Sequence, residues 1–217
     1  MIKSERVSES MRLGTILMLT GGFLDAYSYL IRGNVFATAE TGNIVLLGIN
    51  LAFGNFGKAG RYLIPIVSYA VGIFVAEWIK KCLADGTKVH WKEGVLWLEL
   101  LIVFAAGFIP QAGNSVVNCM IAFVCAMQVE AFRKVRGQPF ASTMCTGNLR
   151  SGTDLLYRGV RTGDRKLVGK ALRYFGVIGC FMAGAALGGV LSAWWGQWAV
   201  LTAVCFQAAA FFRMSRR

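Results

Sequence analysis

Two carboxylates stand where an apolar chain has least room for them. Asp25 interrupts the apolar run from Leu13 to Ile31, and Glu130 closes the run from Ser115 to Phe132. An ionisable group within a membrane span is a candidate to bind a cation or exchange a proton, since its desolvation must be offset by a partner. Each carboxylate also opens a motif. Asp25-Ala26-Tyr27 leads to Gly33, Phe36-Ala37-Thr38 and Thr41-Gly42-Asn43, while Glu130-Ala131-Phe132 leads to Gly137, Phe140-Ala141-Ser142 and Thr146-Gly147-Asn148. The same residue types recur in the same order about a hundred residues apart, which marks an internal duplication. Thr and Asn are good helix N-caps, and glycine lets the backbone turn tightly or approach a ligand. Each Thr-Gly-Asn therefore reads as a helix start whose free N–H groups and positive dipole end attract an anion. Capping with close helix packing accounts for the same residues without a ligand. The candidate pathway for a small solute or ion is Asp25, Tyr27, Thr41, Gly42, Asn43, Glu130, Thr146, Gly147 and Asn148.

Further polar residues have competing readings. Glu99 lies inside the run from Val95 and is expected to face the cavity. Arg150, Asp154 and Arg158 share one helical face, which suits an interfacial helix as well as a substrate path. Glu130 can pair with Arg133 or Lys134, Asp25 with Arg32, and Glu77 with Lys80 or Lys81. Asn118 and Gln128 suit bridges between helices. Gly176, Gly179, Gly184, Gly188 and Gly189, interleaved with alanines, form a small-residue packing face.

Composition sets the class of molecule. The chain has 217 residues, of which 56% are hydrophobic and 16% charged, with mean hydropathy +0.54. That is too apolar for an ordinary soluble domain and fits an integral membrane protein. The net charge of +12 does not imply a nucleic-acid partner, because the basic residues fall in short clusters between apolar runs. The six cysteines form no Cys-x-x-Cys pair, and His90 stands alone, so neither a metal nor another cofactor is expected. No phosphate-binding loop, nucleophile elbow or His-Glu-x-x-His is present, so no enzymatic role is expected.

The elements follow from the apolar runs. Leu13 to Ile31, Tyr62 to Ile79, Val95 to Ile109, Ser115 to Phe132, Ala171 to Ala193 and Trp198 to Phe212 predict six spans. Two stretches, Ile44 to Phe53 and Leu149 to Tyr157, predict short half-helices that cannot cross a core of about 30 Å. With both termini cytoplasmic, 20 of the 23 cations lie inside and only Arg32, Lys58 and Arg61 outside, the asymmetry expected of an inner-membrane protein. If both short helices crossed, the clusters at Lys80 to Lys92 and Arg133 to Arg136 would lie outside. Ala37-Thr38-Ala39 mimics a signal-peptide cleavage site, but the related Phe140-Ala141-Ser142 lies mid-chain.

Three spans per copy is an odd number, so the second copy enters from the opposite side. The expected fold is a single all-α integral membrane domain of six transmembrane helices plus two half-helices, built as two inverted three-span repeats, about 11–110 and 113–213. Inverted repeats with interrupted helices recur in transporters, with the site between the halves.

The Gly21-Gly22-Phe23-Leu24-Asp25-Ala26-Tyr27 start, the Phe-Ala and Thr-Gly-Asn series and the Arg61-Tyr62 entry to a glycine-containing span resemble the YoaK family of small bacterial multi-pass membrane proteins. The resemblance covers almost the whole chain and implies an inner-membrane location with no established activity. One departure is Glu40, at a position where the resemblance implies glutamine. The function expected is transport or conduction of a small solute or ion, with the lipid bilayer as surroundings and a homo-oligomer as a compatible assembly. The alternative is a non-transporting membrane scaffold or sensor acting through the basic cytoplasmic loop from Gly159 to Arg173.

Overall fold

The computed structural model describes residues 10–83, 91–135, 138–139 and 145–215. Among these residues the helices, in order, are α1 (Met11–Ile31), α2 (Glu40–Ala52), α3 (Phe56–Leu83), α4 (Trp91–Gly107), α5 (Asn114–Ala131), α6 (Cys145–Thr162), α7 (Arg165–Trp195) and α8 (Val200–Ser215). Lys134–Val135 and Gln138–Pro139 form a two-residue antiparallel ladder after α5, a small departure from the all-helical expectation. His90, Gly137, Phe140, Ala141 and Ser142 lie outside the described residues.

Among the described residues, three stretches are long and apolar enough to cross a membrane: Phe56–Cys82, Gln111–Ala131 and Arg165–Ser215. The last takes in both α7 and α8, joined through the 3-10 turn Gly196–Ala199. The first and fifth apolar runs differ in kind. α7 turns Leu172, Met182, Leu187, Val190 and Trp194 outward, as a lipid-facing helix does, whereas most of α1 is buried. A helix surrounded by other helices can carry Thr20, Asp25 and Ser28, and these lower the hydropathy that would mark it as a span.

The helices pair in a regular way. α1 lies along α7 and α5 lies along α3; α2 packs on α3 and α6 on α7; α4 meets α8. Glycine permits the two longest pairings. A Cβ on Gly22 would collide with the Phe181 carbonyl, and one on Gly184 with that of Leu19; a Cβ on Gly72 would strike the Phe123 carbonyl. Of the five glycines read as a packing face, Gly184 and Gly188 meet the α1 backbone, whereas Gly176 and Gly179 face open space.

Two sequence-based boundaries change. α2 has 13 residues, about 20 Å, and remains too short for the hydrocarbon core. α6 has 18 residues, twice the stretch read from the sequence. Its charged stripe interrupts the apolar pattern without ending the helix, because Gly152 and Gly159 seat it closely against Tyr174, Phe175 and Val168 of α7. The basic stretch from Gly159 to Arg173 is not a loop: α6 and α7 meet at a corner made by Gly163 and Asp164, whose side chain caps α7 at Lys166 N.

Candidate functional site

α1 ends at Arg32, where Gly33 (φ 92°) and Asn34 (φ 60°) turn the chain back on itself. The Asn34 N–H returns to the Tyr29 carbonyl, the closing bond of a Schellman-type cap. The returning segment has no ladder to join, so α1 side chains hold it. Asp25 Oδ1 accepts from Thr38 N–H at 2.9 Å, and Ser28 Oγ accepts from Ala37 N–H at 3.1 Å. From below, Asn43 in α2 clamps the same segment, donating from Nδ2 to the Phe36 carbonyl at 2.6 Å and accepting from Phe36 N–H at 3.3 Å. Asn43 Nδ2 also reaches Glu40 Oε2 at 3.0 Å.

This corrects the role read for Thr-Gly-Asn. Both tripeptides lie inside the first turn of their helices, which begin at Glu40 and Cys145. The N-cap of α2 is Ala39, with no side-chain hydrogen bond, so neither Thr41 nor Asn43 caps it. The positive end of α2 already faces the chain's own Glu40, in the first turn where a carboxylate is stabilised.

The starts of α2 and α6 meet across a cavity of about 470 Å³. Thr41 and Gly42 line one side, Thr146 and Gly147 the other, with Asp25 and Glu40 as its carboxylates and Phe36, Tyr69 and Phe181 among its apolar walls. The volume lies within the range of small-ligand sites. Gly42 gives space to the Phe36 ring, which would lie 3.0 Å from an added Cβ. Among the described residues, none lining the cavity is a lysine or arginine.

The remaining candidates lie elsewhere. Asn43 and Asn148 are buried near the two helix starts rather than among the lining residues. Tyr27 points away: its hydroxyl donates to the Gln197 carbonyl at 3.1 Å and accepts from Arg32 Nε at 2.7 Å. Arg32 thus pairs with Tyr27 and not with Asp25. Glu130 accepts from Arg133 Nη1 at 3.1 Å, one turn along, and takes no place in the cavity. Glu99 is buried against α8, where Gln207 Nε2 donates to its Oε1 at 3.0 Å. Arg150 is exposed, and Asp154 forms an exposed pair with Arg158 at 3.5 Å.

Sequence reasoning missed Thr38, Glu40, Tyr69, Cys145 and Phe181. A signal for two of them was present. Tyr69 follows Arg61-Tyr62 at the same interval, eight residues from the arginine, as Phe181 follows Arg173-Tyr174. Gly72 and Gly184, eleven residues from those arginines, are the glycines of the two close helix crossings. The second Arg-Tyr therefore extends the duplication beyond Thr-Gly-Asn.

Comparison with known proteins follows the same lines. Residues 13–212 match the family described as "Protein of unknown function (DUF1275)". The UPF0700 transmembrane protein YoaK of Bacillus subtilis (strain 168) is 28% identical over 147 residues, covering 63% of this chain and 63% of that protein. The aligned region thus spans less than two thirds of that relative's length. No solved structure matches the chain.

Proposed function

The chain belongs to the DUF1275 family of proteins of unknown function, and from that premise we propose that it is a transporter or channel, moving a small solute or ion through a site between two inverted halves. The observation that carries this reading is the meeting of Thr41-Gly42 and Thr146-Gly147, 105 residues apart in sequence, across one cavity that also takes in Asp25. The helix pairings support the duplicated plan. Exchanging α1 to α4 for α5 to α8 turns the α1/α7 pair into α5/α3 and the α2/α3 pair into α6/α7, and leaves α4/α8 as itself. That is the pattern of a two-fold axis between the halves. It fits six crossings, with α2 and α6 as the interrupted elements, in an inner membrane with both termini on the cytoplasmic side.

The charge of the lining narrows the solute. With Asp25 and Glu40 present and no basic residue in the lining, a cation or a protonated solute is favoured over an anion. The scaffold alternative would act through Gly159 to Arg173, which forms a helical corner. The test is cation-driven flux in proteoliposomes with Asp25→Asn, which removes the charge and keeps an acceptor for Thr38 N–H. Flux is expected to fall roughly a hundredfold, the equivalent of about 3 kcal/mol for a charge-assisted contact. Unchanged flux in a folded variant would remove the cavity from the pathway.

A further inference from the structure

A second cavity, of about 190 Å³, opens at the end of α1, beyond Arg32, and no residue lining it is acidic. We propose that it is a binding site for a small oxyanion that keeps one hydroxyl, such as hydrogenphosphate or bicarbonate. The proposal rests on this cavity alone and stands whether or not the other cavity conducts.

The argument begins with Arg32, whose residue surface is 1% exposed. Its guanidinium donates to the Tyr27 hydroxyl at 2.7 Å, the Ile109 carbonyl at 2.9 Å, Asn114 Oδ1 at 3.2 Å and the Ala106 carbonyl at 3.4 Å. All four acceptors are neutral. A guanidinium has five N–H donors, so one remains. The two carbonyls lie at the C-terminal end of α4, and such an end carries only about half an elementary negative charge. Burying a cation without a full counter-charge is costly, and among the described residues Arg32 has no carboxylate partner. An anion in the adjoining cavity supplies the missing charge.

The rest of the lining suits that anion. Arg61, exposed and without a hydrogen bond or ion pair among the described residues, brings a second positive charge. Asn114 and Ser115 line the cavity at the start of α5, where the Asn114 N–H is already bound to the Gln111 carbonyl, so it is their side chains that add polar groups to the lining. Gln111 adds a neutral donor.

Asn118 decides the class of anion. It is 2% exposed; its Nδ2 is engaged by the Arg32 carbonyl at 2.9 Å, and its Oδ1 has no hydrogen-bond partner among the described residues. A buried acceptor left without a donor is costly. A fully deprotonated anion such as sulfate offers it nothing, whereas an anion with an O–H can donate to it while its other oxygens accept from the arginines. The volume, below the range of drug-sized sites, excludes larger ligands.

The experiment is calorimetric titration of inorganic phosphate into the full chain in detergent, at constant ionic strength, with sulfate as the comparison. Saturable binding of phosphate is expected, at least about tenfold tighter than sulfate. Arg61→Gln should weaken it about tenfold while leaving the ligand-free melting temperature unchanged, because Arg61 is exposed and makes no hydrogen bond or ion pair among the described residues. Asn118→Asp, which sets a negative charge against the ligand, should abolish it. Absence of saturable binding up to about 10 mM, or binding that Arg61→Gln leaves intact, overturns the site. Equal affinity for sulfate overturns the hydroxyl assignment.

Discussion

Asp25 and Arg32 lie seven residues apart on α1, about 10 Å along its axis, and each is buried beside a cavity. Their surroundings differ. Asp25 is held by the returning segment, through the Thr38 N–H at 2.9 Å with the Thr38 hydroxyl and the Ala39 N–H beside it, and lines a cavity that both Thr-Gly pairs also line. Arg32 donates four bonds, tying the end of α1 to α4 and to the start of α5, and only its remaining charge is available to a ligand. Asp25 thus holds a chain reversal at the edge of the larger cavity, and Arg32 is chiefly a fastener between helices at the edge of the smaller one. The two halves of one helix are used for different purposes, and the cavities should respond to different substitutions.

The largest separation is expected from Asp25→Asn: roughly a hundredfold less flux in proteoliposomes, with phosphate binding unchanged by calorimetry. A parallel loss of both would make the cavities one site and break the comparison. Gly184→Val should damage both together, since its side chain meets the Leu19 carbonyl at the α1/α7 crossing. A cost of about 3 kcal/mol in chemical unfolding is expected, at the upper end for overpacking, against less than about 0.5 kcal/mol for Gly176→Ala, which faces open space. Tyr27→Phe removes the acceptor of Arg32 Nε and the donor to Gln197, and should cost about 1–2 kcal/mol and weaken phosphate binding with flux retained. Gln207→Leu withdraws the amide that meets Glu99 in the α4/α8 contact, and about 1 kcal/mol of unfolding free energy is expected to go with it. Least of all, Glu130→Gln should leave flux intact and shift stability by under about 0.5 kcal/mol, because its Arg133 partner is mostly exposed. Lost flux in that variant would restore Glu130 to the pathway.

Much of the site was legible in pairs rather than in single residues. Thr41-Gly42 and Thr146-Gly147 are recognisable because each repeats the other, and they do share one cavity. The pairing of Asp25 with Glu130 was equally visible and did not carry over, since Arg133 stands one turn after Glu130 and engages it. Glu40 was seen only as a departure from the family pattern, because nothing in a tripeptide tells that the preceding side chain turns into the space between helices. The length of α6 was hidden for a physical reason: apolar periodicity reads lipid contact, whereas α6 is seated by two glycines and exposes its charges.

The sequence by itself determined the membrane class, most of the helical runs, the recurring motifs and the family, because hydropathy and repeated residue types are properties of a linear string. Tertiary structure alone decided which charges face a cavity and which fasten helices together. That choice depends on where a chain reversal such as Gly33-Asn34 delivers its backbone N–H groups and on which carbonyls come within reach of a guanidinium. Neither distance is written in the order of residues.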